Sequence, residues 1–233
     1  MSKILMVVSA ATSITLADGS THATGVWAEE IVVAHQSLLA AGHEVVIASP
    51  RGVAPQIDPG SLSAEVVGDA DRVEQFRAYL KKIGALLSTP QDLRTVEPRD
   101  FDAVVMPGGH GPMVDLATDE QLGQILTAAD EAGIIIAPFC HGPAGLLAAV
   151  SSDGSFVFAG RRLAVFSDEE ERSGGLGANA PWFVAETLAA RGAIVDNGAP
   201  WSSHVVRDRN LITGQNPQSS EAVAEAVIEA LAE

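Results

Sequence analysis

The chain holds one cysteine in 233 residues. Cys140 lies in GIIIAPFCHGPAGLLAAV, residues 133–150. An apolar run of strand type leads straight into it. His141, Gly142, Pro143 and a helix-forming stretch of small residues follow. Strand, nucleophile, small residue and helix make a nucleophile elbow, whose sharp turn lifts the side chain off the strand end. Gly142 permits the tight turn and Pro143 suits a first helical turn. The turn aims backbone N–H groups and a helix N-terminus at the sulfur, which favours thiolate over thiol. A lone cysteine is otherwise a small buried hydrophobe. The elbow and the neighbouring histidine weigh instead for a nucleophile. A single cysteine forms no intramolecular disulfide and no cysteine-based zinc site.

A second loop of chemical character is Met106-Pro107-Gly108-Gly109-His110-Gly111-Pro112. It also follows a buried strand. Its glycines let backbone approach a ligand closely, and their N–H groups suit an oxyanion. We therefore take Gly108, Gly109 and His110 as candidate oxyanion or substrate-binding residues.

The elements that must position these loops alternate. Lys3–Ser9, Glu44–Ser49, Asp102–Met106 and Gly133–Pro138 read as strands. The last two are continuous apolar runs, as in strands buried on both faces of a parallel sheet. Helices fit Val26–Ala41, Arg72–Ile83, Asp119–Ala132, Gly142–Val150, Trp182–Arg191 and Ser219–Leu231. VVRDRNLIT, after His204, reads as one further strand, and Pro50–Ser63 as a long ordered loop. Such alternation implies one α/β domain over residues 1–233, with helices on both faces of a mostly parallel sheet. Ligands in such sheets bind at the carboxyl ends of the strands. That places the loops after Ser9, Met106 and Phe139 at the site.

The formal net charge of −16 argues against nucleic acid and against anionic membranes, both of which need a basic footprint. No apolar run approaches the roughly 20 residues of a membrane span. MSKILMVVSAATS reads as a first strand rather than a signal peptide, so the expected compartment is the cytosol.

PGGHGPMVDL, FCHGPAGLL, TGVWAEE and LITGQNPQSS, found in this chain as four separate motifs, together resemble the ThiJ/PfpI superfamily. The resemblance runs from Lys3 to the last helix. It implies a three-layer α-β-α sandwich of flavodoxin-like, class I glutamine amidotransferase-like type. Within the superfamily the chain most resembles the heat-shock-type branch of chaperones and glutathione-independent glyoxalases.

The resemblance also implies partners for Cys140. An acidic residue should come from the helix after the first strand, where Glu29 and Glu30 compete. At about 100° per residue, Trp27, Ile31, Ala34 and Leu38 form one apolar stripe. Glu30 lies roughly 70° from its centre while Glu29 points almost opposite, so Glu30 is the one that can face inward. An inward glutamate with no basic partner has a raised pKa. His141 belongs by resemblance to a Cys-His-acid triad. FSDEEE, residues 166–171, supplies its acid: the family pattern selects Glu171, with Asp168 as the fallback. His35 reads as lying on the polar side of its helix, His22 as a weak substrate contact, and His43 and His204 as structural. No histidine–carboxylate pair stands at a metal-site spacing, so no metal is expected. Ser167–Pro181 and Pro50–Ser63 are candidate rims.

The expected reaction is conversion of a small 2-oxoaldehyde, methylglyoxal, to lactate. Cys140 would add to the aldehyde, and Glu30 or His141 would move the carbon-bound proton. Gly109 and His141 N–H groups would hold the oxyanion. No cofactor is expected, because the sulfur that glutathione would supply is in the protein. The alternatives are a cysteine-dependent amidase or deglycase, and a holdase chaperone or oxidation sensor. The family resemblance adds an expected homodimer.

Overall fold

The computed structural model describes residues 1–233. Its sheet strands are β1 (Lys3–Val7), β2 (Glu44–Ser49), β3 (Gln91–Asp92), β4 (Ala103–Met106), β5 (Ile135–Pro138), β6 (Val205–Asp208) and β7 (Leu211–Gly214). Their spatial order is β6-β7-β5-β4-β1-β2-β3. Every neighbouring pair is parallel except β6–β7. The registers Ile4↔Ala103 and Val104↔Ile136 align β1, β4 and β5 at the centre.

The two faces of the sheet divide the core by strand alternation. Leu5, Val7, Val104, Met106 and Ile136 enter one apolar cluster. Ile4, Met6, Val105 and Ala137 enter the other. The first is covered by α3 (Glu120–Ala132), through Leu122, Ile125 and Leu126, and by α5 (Val184–Ala190). The second is covered by α1 (Ala28–Ala40), α2 (Ala70–Lys82) and α6 (Ser220–Ala230). The expected α/β sandwich with a mostly parallel sheet is the observed one. No helix is long and apolar enough to cross a membrane.

Local chemistry sets the helix ends. Asp119 caps α3 by accepting the Leu122 N–H at 2.8 Å. Gly133, at φ +72°, ends it in the left-handed conformation that glycine adopts without strain. α4 (Asp168–Gly174) opens on a capping box in which Ser167 and Glu170 bond each other's backbone.

Three expectations require correction. The segment after Cys140 is a 3₁₀ helix, Gly142–Ala148, rather than an α-helix. A helix of i→i+3 bonds fits the close approach of Gly145 to Leu122 and Met106. VVRDRNLIT is two antiparallel strands, not one, with Arg209 at φ +56° in the reversal. The polar run Arg207–Asn210 supplies that turn. Finally, His35 is fully buried and hydrogen-bonds the Tyr79 hydroxyl at 2.8 Å between α1 and α2. The Pro50–Ser63 segment carries 3₁₀ turns at Pro50–Gly52 and Gly60–Leu62.

α3 meets the 3₁₀ helix at Gly123, where an added Cβ would lie 2.1 Å from the Ala148 carbonyl oxygen. Backbone cannot yield as a side chain can. Gly123→Ala is expected to destabilise the fold by about 1–3 kcal/mol, seen as a lower urea midpoint with an unchanged slope. An unchanged midpoint would refute this account of the helix contact.

Candidate active site

β5 delivers Phe139 and Cys140 to the carboxyl edge of the sheet. Cys140 has φ +56°, a left-handed conformation that costs a non-glycine residue about 1–3 kcal/mol. Its neighbours hold it there. The Cys140 N–H donates to the Gly214 carbonyl at 2.9 Å, and its carbonyl accepts the Phe166 N–H at 3.0 Å. Gly142 packs so tightly beneath the turn that a Cβ would stand 2.1 Å from the Met106 carbonyl oxygen. The turn is thus clamped between β7, the Phe166 backbone and the loop after β4.

Glu30 is fully buried, in the first turn of α1. Its Oε2 accepts the Gly108 N–H at 2.6 Å. Its Oε1 has no well-formed partner, and the Cys140 thiol is the side chain that couples to this carboxyl. Burial, with no cation to offset it, pushes the Glu30 pKa up to about 8. Glu29 is half-buried, not opposite the site: it pairs with Arg72 at 2.6 Å and reaches the cavity wall.

The structure corrects two expectations about this side of the site. The Gly108 N–H is engaged by Glu30, so it is not available to a substrate oxygen; Gly109 and His141 N–H groups are the ones directed at the sulfur. The Cys140 thiol is also not acidified. Burial and the Glu30 carboxylate push its pKa up, and the two N–H groups offset only part of that. A seven-residue 3₁₀ segment is a weak substitute for the dipole of an α-helix.

On the other side of the sulfur, His141 Nδ1 lies 3.3 Å from Cys140 Sγ. Its Nε2 lies 2.6 Å from Glu171 Oε2. Asp168 is not brought to His141. His110 Nε2 lies 3.0 Å from Glu171 Oε1, so one buried carboxylate serves two imidazoles. Burial alone would raise the Glu171 pKa, but hydrogen bonds from both histidines and the Leu176 N–H hold it well below the usual carboxylate range. Burial, reinforced by His110, pushes the His141 pKa down. The stable arrangement is therefore an ionised Glu171 with neutral His141. His110, His141 and Glu171 are of metal-ligand type, with ligand atoms within 4.8 Å of one another. Their positions in the sequence gave no such spacing. Each of these atoms is already paired with another of the three.

Cys140 is only 3 % exposed, yet it lines a cavity of about 490 Å³. His110, Trp27, Phe166, Trp201, Val66 and Val67 are among its walls. Trp201, Val66 and Val67 lie in no motif and were missed in the sequence, while Trp27, within TGVWAEE, was read only as part of an apolar stripe. The rim comes from Gly174–Gly175, within the expected Ser167–Pro181 segment, and from Val66–Val67 rather than Pro50–Ser63. Trp201, at φ +60°, is pinned by its N–H to Glu170 Oε1 at 2.7 Å. Glu170 also accepts from Ser167, Gln215 and Asn216. LITGQNPQSS thus acts through Glu170, next to Glu171. His22 is exposed on the Thr21–Ala23 strand and does not line the cavity.

Fold and site define an α/β enzyme with its reactive residues at the carboxyl end of a parallel strand. The chain belongs to the DJ-1/PfpI family, whose model matches residues 21–230. It is similar to the "Protein/nucleic acid deglycase HchA" of Staphylococcus aureus (strain MSSA476), 25% identical over 97% of this chain and 78% of that protein. Among solved structures it is similar to glyoxalase III from Candida albicans, with TM-score 0.83 and 25% identity over 98% of this chain and 97% of that one. It is equally similar to the Rapid Encystment Protein 24 kDa of Francisella tularensis, with TM-score 0.83, 26% identity and 99% coverage of both chains.

The raised Glu30 pKa has a testable sign. Between 4.5, its ordinary value, and about 8, the folded chain keeps a proton that the unfolded chain has lost. Through this group, stability falls as pH rises across that window, by up to about 1.4 kcal/mol per unit. Glu30→Gln is expected to remove that slope and to move the alkylation profile of Cys140 to lower pH, since the charge opposing the thiolate is gone. Urea midpoints at both ends of the window and iodoacetamide rates would check both. An unchanged alkylation profile would refute the coupling.

Proposed function

We propose that this protein is a glutathione-independent glyoxalase that converts methylglyoxal to lactate through Cys140. One observation carries the reading. A buried acid (Glu30), a carboxylate-anchored imidazole (His141 on Glu171) and two backbone N–H groups converge on one sulfur at a cavity wall. The similarity to glyoxalase III and to the HchA deglycase supports a small reactive carbonyl as substrate.

In this reading the thiol proton passes to His141 Nδ1 as the sulfur adds to the aldehyde carbon, C1. Glu171 holds the imidazolium so formed. The C1 oxygen gathers negative charge between the Gly109 and His141 N–H groups and takes the proton back, giving a hemithioacetal. Glu30, protonated at neutral pH, no longer repels the sulfur and donates to the C2 oxygen as a base at the cavity wall takes the C1 proton, which it later returns to C2. The resulting enediol is protonated at C2 and returns a hydroxyl proton to Glu30, leaving a thioester. Water hydrolyses the thioester with His141 as base, releasing lactate and the thiol. No organic cofactor enters these steps. The same reading takes the enzyme as a cytosolic homodimer.

A second reading, a cysteine-dependent deglycase of the hydrolase class, is favoured by the cavity. At about 490 Å³ it falls in the range of pockets for drug-sized ligands, about 300–1,000 Å³, and a three-carbon aldehyde leaves most of it empty. Following a glycated amino acid directly, with free aldehyde scavenged, separates the two.

Purified protein is expected to yield lactate from methylglyoxal without glutathione, followed by NMR. Cys140→Ala should lower the rate by at least about 10³-fold. Full turnover by the alanine variant would end the proposal.

A further inference from the structure

We infer that His110 is a second catalytic base: its Nδ1 takes the carbon-bound proton from C1 of the Cys140 hemithioacetal and returns it to C2. The inference rests on the glyoxalase reading and assigns a step whose base that reading leaves unnamed.

Two imidazoles share one carboxylate. Glu171 accepts from His141 Nε2 at 2.6 Å and from His110 Nε2 at 3.0 Å. An ionised carboxylate only accepts, so both Nε2 atoms carry hydrogen. In its neutral form each ring has a single N–H, and with that hydrogen on Nε2 its Nδ1 is a bare lone pair. The tautomers are set by Glu171. The two Nδ1 atoms then differ in what they face. His141 Nδ1 meets the Cys140 sulfur at 3.3 Å. His110 Nδ1 has no hydrogen-bond partner in the protein and is not among the sealed-off polar atoms. The His110 ring lines the cavity beside Cys140, with its centroid 4.2 Å from that of His141. It directly follows Gly109, whose N–H points to the sulfur.

Isomerising the hemithioacetal needs one group to take the C1 proton and one to protonate the C2 oxygen. Glu30 keeps its proton up to about pH 8, so at neutrality it is an acid and not a base. His141 serves the sulfur in addition and hydrolysis. His110 Nδ1 is the imidazole nitrogen at the cavity wall that no protein atom engages, neither the sulfur nor a carboxylate. The C1–H bond breaks toward His110 Nδ1 while Glu30 protonates the C2 oxygen. The C1–C2 double bond of the enediol forms. The His110 imidazolium, steadied by Glu171, then delivers its proton to C2 while the C1 hydroxyl returns one to Glu30. No oxidant or reductant is needed, and both side chains end as they began.

His110→Gln separates this role from simple bracing. The glutamine amide can still donate to Glu171 in place of Nε2–H, but it offers no base. With wild type making lactate, kcat of the variant is expected to fall about 10²-fold or more. Cys140 should still take up methylglyoxal, seen as a one-aldehyde mass adduct that accumulates. In His110→Ala, added imidazole is expected to restore part of the rate. Turnover of His110→Gln within a few-fold of wild type would overturn the inference while leaving the glyoxalase reading intact. So would loss of the adduct together with turnover, which marks a bracing role only. A wild-type protein that makes no lactate would overturn both.

Discussion

A carboxyl group buried without a cation is the constraint around which the site is built. Glu30 contacts no lysine or arginine; its one well-formed hydrogen bond is the 2.6 Å contact from the Gly108 N–H. That bond fastens α1 to the loop after β4. It also fixes the backbone that presents the Gly109 N–H to the sulfur. Burying a charge unpaired is so unfavourable that the group stays protonated instead. The fold tolerates this because the proton is shared with chemistry: the neighbour of Glu30 is the one cysteine in the chain. Carboxyl and thiol therefore sit side by side, where two full negative charges could not.

The opposite side of the sulfur is organised by the contrary principle. Glu171 is also buried, yet it is ionised, because three N–H donors surround it. The two carboxyl groups differ in hydrogen-bond supply, and that difference separates their protonation states on the two sides of one cysteine. Glu170, its neighbour in the chain, holds the Trp201 loop and Asn216 in place. One short helix, α4, thus anchors both the imidazole pair and part of the rim.

Much of this was legible in the sequence, for identifiable reasons. The continuous apolar runs gave β1, β2, β4 and β5 because a parallel sheet covered on both faces leaves no polar alternation to confuse. Glu30 and Glu29 were separable by helical periodicity, since α1 packs one face on the sheet; only the exposure of Glu29 was misjudged, because Arg72 draws it to the cavity edge. His35 was misplaced for a related reason. A polar residue at the stripe edge reads as solvent-facing until a second helix, α2, covers it with Tyr79. The shared use of Glu171 by His110 and His141 was not legible at all. Residues 110 and 141 come from two loops and residue 171 from α4, and only the fold brings the three together. The thiol's basicity was misread for want of depth: a sequence shows the helix that follows Cys140, but not the burial that outweighs it.

The cavity described above also sorts molecules by charge. Its walls include tryptophans, valines, a phenylalanine and two histidines, and no lysine or arginine. The one carboxylate at its edge, Glu29, already holds Arg72. A phosphorylated or carboxylated carbonyl compound would shed its hydration here and meet no compensating cation. An uncharged one loses little. A wall without cations would select against anionic carbonyl compounds by what it lacks, without any device that recognises them.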